Sequence, residues 1–343
     1  MVSGKDAKRH PPKISPLPLT TNHLPLNAMP RAIIRFPLIL AVLIAVVGCR
    51  PGSNEPVDGR PVVYTSFYPL YDFAQKIGGD KVQVCCLIRP GTKAHDWEPS
   101  PRDLANLSKA DLFLCNGLGM EPWIKNAVDA MGTVKFQVVE TAQGIDPITG
   151  GHHHDHGDHH EHHDDYSAPD PHVWLSPVNV KIILKNIADA YVQLDQENAE
   201  YYQENLRLWT AKCDELDTQY RETLSDAPQK EIVVSHQAVG YLCREYGLTQ
   251  IPIEGLTAQS DPGMARMAEL VKKIRDDGIT TVFVESSQDS RICDALAKET
   301  GAKVDVLNPY ETLYQDQIQA GDDYFSVMTR NLEALKKAVG SRQ

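Results

Sequence analysis

Several recurrent metal and nucleotide motifs are missing from this 343-residue chain. Its seven cysteines include no Cys-x-x-Cys pair, which excludes a zinc ribbon or finger. No His-Glu-x-x-His pair of the zinc-hydrolase type occurs either. Gly117-Leu118-Gly119 lacks the third glycine of a dinucleotide loop. Positive charge is scarce as well. Against 46 Asp and Glu there are 34 Lys and Arg, a formal net charge of −12, so no nucleic acid is expected as a partner.

Long apolar runs are also lacking. Phe36 to Val47 is uninterruptedly apolar, but a membrane span needs about 20 such residues. The run follows Arg31 and Arg35 and ends in Val46-Val47-Gly48-Cys49, the form of a secretory signal closed by a lipobox. Cys49 is therefore the expected lipidated first residue of the mature chain. The Pro-rich stretch before Met29 looks unlike any signal, and translation is expected to start at Met29. The remaining thiols are Cys85, Cys86, Cys115, Cys213, Cys243 and Cys293. An exported protein could oxidise them, but Cys85 and Cys86 adjoin on a predicted strand and the others sit in apolar-periodic segments. Free buried thiols and disulfides both remain open.

What is present is alternation. Short β-rich runs lie at Val62–Phe67, Lys81–Ile88, Leu112–Asn116 and Phe136–Val139, then at Glu231–Ser235, Gln250–Ile253, Thr280–Glu285 and Lys303–Leu307. Helix-period segments such as Met264–Asp277 and Ile292–Thr300 fall between several of them. Strand–helix alternation predicts an α/β protein with parallel sheets, and four runs on each side predict two similar lobes. Between the halves, Ala199, Tyr202, Leu206, Trp209, Cys213, Leu216, Tyr220 and Leu224 recur every three or four residues. That spacing predicts one long rigid helix from Asp195, its N-cap, roughly 40 Å in length. The expected divisions are a leader and signal at 1–48, a tether at 49–60, a first lobe at 61–194, a linking helix at 195–225 and a second lobe at 226–340.

The 13 histidines carry the functional signal. His10 and His23 fall in the leader. His152, His153, His154, His156, His159, His160, His162 and His163 crowd one low-complexity acidic loop, 149–169, which cannot bury a core and can chelate metal weakly. Only His95, His172 and His236 remain for the lobes. His95 follows a predicted strand, His172 sits in a turn-rich run before a helix, and His236 directly follows another strand. Ligands in open α/β sheets bind beyond the carboxyl ends of strands, and imidazole is the preferred neutral ligand of zinc-like metals. Together the three point to a metal site.

These segments resemble the bacterial metal-binding lipoproteins that serve zinc and manganese ABC importers. The likeness runs from about Val62 to Lys337. It rests on Pro-Gly-Thr-Lys-Ala-His-Asp-Trp-Glu-Pro-Ser-Pro at 90–101, Asp-Pro-His-Val-Trp-Leu-Ser-Pro at 170–177 and Ser-His-Gln-Ala at 235–238. Asn-Gly-Leu-Gly-Met-Glu-Pro-Trp at 116–123 and Thr-Gly-Ala-Lys-Val at 300–304 agree with it. Ala94 stands where a Pro is usual, and Ser260-Asp261-Pro262 where many members have Glu-Pro-Ser; neither removes a donor. The resemblance implies two Rossmann-like lobes with parallel four-stranded sheets, bridged by the long helix.

It also implies that His95, His172 and His236 ligate the metal with a late carboxylate, assigned to Glu311 in Asn-Pro-Tyr-Glu-Thr-Leu at 308–313, with Asp316 as the fallback. Three imidazoles and one carboxylate suit Zn²⁺ better than the harder Mn²⁺. The implied role is a monomeric extracytoplasmic lipoprotein that hands Zn²⁺ to an ABC permease and its ATPase, and no enzyme. The alternatives are a Mn²⁺ or other divalent-metal carrier, a metal-dependent adhesin-like lipoprotein, and a zinc hydrolase. Trp97, Trp123 and Trp174 are expected to pack around the site.

Overall fold

In the computed structural model, the described residues are 59–95, 97–149, 168–256, 262–286 and 290–340. Cys49 and the eight loop histidines lie outside them. Two sheets organise the chain, each of four parallel strands. The first contains β1 (Val62–Thr65), β2 (Gln83–Cys86), β3 (Leu112–Cys115) and β4 (Gln137–Glu140), in the order β2-β1-β3-β4. The second contains β5 (Glu231–His236), β6 (Thr249–Glu254), β7 (Thr281–Val284) and β8 (Lys303–Val306), in the order β6-β5-β7-β8. The two orders are the same, and in each the direction of winding reverses between the first and third strands. At such a reversal the following loops leave in opposite directions and open a crevice at the strands' carboxyl ends.

Inner strands are mainly apolar because helices cover both faces of a parallel sheet. Every residue of β1, β3 and β7 is buried, whereas the edge strand β4 is largely exposed. Around the first sheet lie α1 (Tyr68–Gly78), α2 (Pro101–Leu107), α3 (Ile124–Met131) and α4 (Pro177–Leu194). Around the second lie α6 (Gly240–Tyr246), α7 (Met264–Asp276), α8 (Arg291–Thr300), α9 (Gln315–Gln319) and α10 (Tyr324–Val339). The helix α5 (Ala199–Leu224) joins the halves.

The apolar stripe of α5 is the face that packs. Tyr202, Cys213, Leu216, Tyr220 and Leu224 are buried, and Ala199, Leu206 and Trp209 are half-buried. Its first half is pinned to α1, where Asn205 Nδ2 and Trp209 Nε1 donate to the carbonyls of Ile77 and Lys76 at 2.9 Å each. Its second half is pinned to the other lobe. Tyr220 Oη donates to the Met328 carbonyl of α10 at 2.7 Å, and Asp217 accepts from Tyr246 of α6 at 3.0 Å. With 26 residues the helix is about 39 Å long, enough to reach both sheets.

It begins later than the sequence predicts. A 3₁₀ turn, Gln196–Asn198, intervenes after α4, and Asn198 is the N-cap. The Asp195 carboxylate instead accepts from Asn198 Nδ2 at 2.8 Å and Tyr202 Oη at 2.7 Å, so it braces the turn rather than capping the helix. None of the six described cysteines is joined in a disulfide. Burial pushes the Cys86 and Cys213 thiols up to about 12, far from reactive thiolates. Among the described residues no helix is long and apolar enough to cross a membrane.

Candidate metal centre

Each site residue is delivered by a different connection. His95 lies on the loop from β2 to α2, whose start Ser100 caps with a reciprocal bond to Asp103. His172 lies on the long connection from β4 to α4, immediately before a 3₁₀ turn, Val173–Leu175. His236 is the last residue of β5, at the winding reversal of the second sheet. Glu311 follows β8.

The reversal of the first sheet is filled differently. There the buried Glu121 carboxylate accepts from Ser66 Oγ at 2.6 Å, Asn116 N at 2.8 Å and Gly117 N at 3.1 Å. Asn116 then donates through Nδ2 to the Pro171 carbonyl at 2.9 Å. This plug holds the residue before His172.

The structure brings His95, His172, His236 and Glu311 together, with one donor atom from each within 4.8 Å of the others. His172 and His236 are buried, at 0% and 4% exposure. The Nε2 atoms of His95 and His172 are 3.0 Å apart, and those of His172 and His236 3.4 Å. Glu311 Oε1 stands 3.2 Å from His172 Nε2, 3.5 Å from His95 Nε2 and 3.9 Å from His236 Nε2. Tetrahedral zinc with bonds of about 2.0–2.1 Å has donor–donor edges of about 3.3–3.4 Å, and these separations straddle that value. Glu311 Oε1 is buried and accepts no hydrogen bond, so a lone pair faces the three imidazoles unused. The donor set and its spacing fit a zinc-sized cation.

Two carboxylates set the imidazole tautomers. Asp170 Oδ1 accepts from His172 Nδ1 at 2.8 Å and from His172 N at 2.9 Å. Glu285, just past β7, bonds His236 Nδ1 through Oε1. With Nδ1 donating outward, Nε2 is the atom each ring turns to the centre, and it ligates a metal once it carries no proton. The sequence does not single out either carboxylate, although Asp170 sits inside a quoted motif and Glu285 ends a predicted strand.

Electrostatics divide the two rings. Burial opposes charge on His172, but its bond to Asp170 and the facing Glu311 carboxylate prevail and raise it to about 9. Burial, reinforced by the His172 charge, holds His236 down at about 3. The Glu311 carboxyl is buried too, yet the facing His172 and His95 keep it well below the usual carboxylate range.

Asp316 is exposed on α9 and does not join the cluster. Of the three tryptophans, Trp174 packs on His172 with ring centroids 5.4 Å apart. Trp97 and Trp123 pair with each other at 5.2 Å. The cavity beside His236, lined by Ser235, Glu285 and Pro309 among others, holds about 10 Å³, against about 300 Å³ or more for a pocket that takes organic ligands.

Residues 63–338 match the family described as the zinc-uptake complex component A, periplasmic. The chain belongs to that family. It is 40% identical over 306 residues to the high-affinity zinc uptake system protein ZnuA of Bacillus subtilis, covering 88% of this chain and 96% of that one. To the zinc-binding lipoprotein AdcA of Streptococcus pneumoniae it is 35% identical over 304 residues, but it spans only 60% of that longer protein. The Zn(II)-bound ZnuA-like domain of pneumococcal AdcA superposes with a TM-score of 0.71 at 34% identity, over 82% of this chain and 99% of the domain. The laminin-binding protein Lmb of Streptococcus agalactiae, described as an adhesin with metal-transporting activity, superposes at 0.72 with 26% identity, over 82% and 100%.

Proposed function

We propose that this protein captures Zn²⁺ outside the cytoplasm and delivers it to an ABC permease and its ATPase. The observation that carries this reading is the four-donor cluster of His95, His172, His236 and Glu311, whose donor atoms all lie within 4.8 Å of one another. Four protein donors leave no open coordination position, whereas catalytic zinc keeps one for water or substrate. The cavity of about 10 Å³ beside His236 is small for an organic substrate, which favours carriage over catalysis. Zinc is the cargo, and three imidazoles with one carboxylate favour it over Mn²⁺, which prefers oxygen donors.

The same reading assigns residues 1–48 to a leader and signal and Cys49 to a lipid anchor, followed by a tether at 49–60. The lobes at 61–194 and 226–340 then enclose the metal as a monomer, with 195–225 linking them. The eight-histidine tract feeds the cleft as a weak auxiliary store. The likeness to Lmb favours adhesion as a second role, with the metal site unchanged.

Metal analysis of protein purified without added metal, followed by competition between Zn²⁺ and Mn²⁺, tests the proposal. One tightly held zinc per chain that Mn²⁺ does not displace is the expected result. Preferential retention of Mn²⁺, or no tight site at all, would refute it.

A further inference from the structure

Glu311 follows the last strand of the second sheet, yet the loop that carries it is fastened to the first lobe. Trp174, two residues past His172, donates through Nε1 to the Pro309 carbonyl at 2.8 Å. Tyr310 is fully buried and donates its hydroxyl to Asp72 Oδ2 of α1 at 2.8 Å. Asp72 is itself fixed, since Oδ2 also accepts from Tyr324 N at 3.2 Å and Oδ1 pairs with Lys76 Nζ at 2.6 Å. On the second-lobe side, Asn308 exchanges bonds of 2.9 and 2.7 Å with Asn331 of α10.

Tyr310 also has a left-handed backbone, with φ of +57°. A bulky residue adopts that region only where its surroundings impose it. Here Tyr310 N donates to Asn308 Oδ1 at 2.7 Å, and the ring packs edge-on against Tyr68 and Tyr324. The resulting turn sends two successive side chains apart. Tyr310 reaches Asp72, while Glu311 reaches the imidazoles of His95 and His172.

We propose that Tyr310, anchored on Asp72, is the positioning residue for Glu311, fastening the second lobe's carboxylate donor in register with the first lobe's two histidines. The inference rests on the zinc-site reading and adds to it a residue that touches no metal. Glu311 Oε1 makes no hydrogen bond of its own, so its place depends on the backbone beneath it.

Chelator competition with Zn²⁺ tests this on the full chain. Tyr310→Phe keeps the ring and removes only the hydroxyl, and should weaken zinc binding about tenfold, as for loss of a bond to a charged group. In a Glu311→Ala background the same change should cost less than about twofold, because its effect passes through that carboxylate. Asp72→Asn should show the same dependence on Glu311. Tyr220→Phe, which removes an equally buried hydroxyl bonded to Met328, should lower the melting temperature and leave zinc affinity within about twofold. The Co²⁺ absorption spectrum of Tyr310→Phe should move toward that of Glu311→Ala. Additive losses in the double variant, or a single variant within twofold of the parent, would overturn the proposal. A parent chain with no tight zinc site would instead overturn the metal reading, and the positioning role with it.

Discussion

Replacing Asp170 separates the two ways in which a carboxylate behind an imidazole can matter. Asp170 is 3% exposed, and its Oδ1 holds both the ring and the backbone nitrogen of His172. Asp170→Ala frees the ring to rotate and to change tautomer. Loss of such a partner weakens metal binding 10- to 100-fold, about 1.4–2.8 kcal/mol. Asp170→Asn is milder. Its oxygen can keep both bonds, and its amide nitrogen falls where Oδ2 now lies buried without a hydrogen-bond partner. Only the charge is lost, so the deficit lies near the tenfold end.

The pH dependence gives the sign. His172 is raised to about 9, with burial opposed and outweighed by Asp170 and Glu311, so near neutral pH zinc must expel its proton. Asp170→Asn lowers that pKa and relieves part of the competition at pH 7, which masks part of the damage. At pH 9 the relief is smaller, so the measured deficit should grow as the pH rises from 7 to 9. Chelator competition at fixed ionic strength, with melting of the metal-free protein in parallel, supplies both numbers. Calorimetry in buffers of different ionisation enthalpy should show fewer protons released per zinc by the Asn variant at pH 7. Both variants within twofold of the parent, or a deficit that shrinks with rising pH, would refute the reasoning.

His236→Ala should weaken zinc binding at least about 100-fold, and Asp316→Ala less than about twofold, because Asp316 is exposed on α9; equal losses by chelator competition would displace Glu311 as fourth donor. Deleting residues 150–166 should remove the weak zinc sites and, in an acid titration of loaded protein, only the release step between about pH 7 and 6, where free imidazoles protonate; a single step unchanged by deletion would show that the tract stores no metal. Cys49→Ser should abolish acylation, read by membrane fractionation and mass spectrometry of the mature N-terminus, and a native terminus elsewhere with no acyl mass would sink the lipobox assignment. Burial pushes the Glu121 carboxyl up to about 7 despite its donors from Ser66, Asn116 and Gly117. Its stabilising contribution to the metal-free fold is therefore full below about pH 4.3, the value of a free Glu, and is lost as the pH rises to about 7, up to about 4 kcal/mol. Urea unfolding of Glu121→Gln should lack that slope, and identical slopes would refute it.

The sheets were legible because inner parallel strands announce themselves as continuous apolar runs. Val62–Thr65, Leu112–Cys115 and Thr281–Val284 are buried on both faces, and the eight runs in the sequence map onto the eight strands. The start of α5 is not legible, because an Asp before a periodic segment looks like a cap and nothing local reveals that Tyr202 takes its carboxylate. The histidines stood out through scarcity. With the leader and the acidic tract set aside, three remained, and the structure places all three around one point. Carboxylates offer no such contrast. Asp170, Glu285 and Asp72 are three among 46 acids, and only the folded chain shows which imidazole or hydroxyl each one meets.

That asymmetry follows from how the centre is built. The second sheet puts His236 directly at its winding reversal, while the first fills its own reversal with Glu121 and must bring His172 in on the connection after β4. That connection is held from both sides: Asn116 of the first lobe binds the Pro171 carbonyl, and Tyr241 of α6 donates to the Asp170 carbonyl at 2.7 Å. Tyr241 Oη also accepts from Ile148 N at 3.1 Å, next to the bridge between Thr149 and Pro169 at the base of the histidine tract. Glu311 is held from both sides as well, by Asn331 through Asn308 and by Asp72 through Tyr310. Two of the four donors therefore depend on bonds that cross between the lobes. On the proposed ligand set, the affinity should therefore depend on the packed interface as much as on any ligand-bearing loop: a variant that shifts one lobe against the other should weaken the metal's hold, and zinc should in turn raise the melting temperature of the packed arrangement.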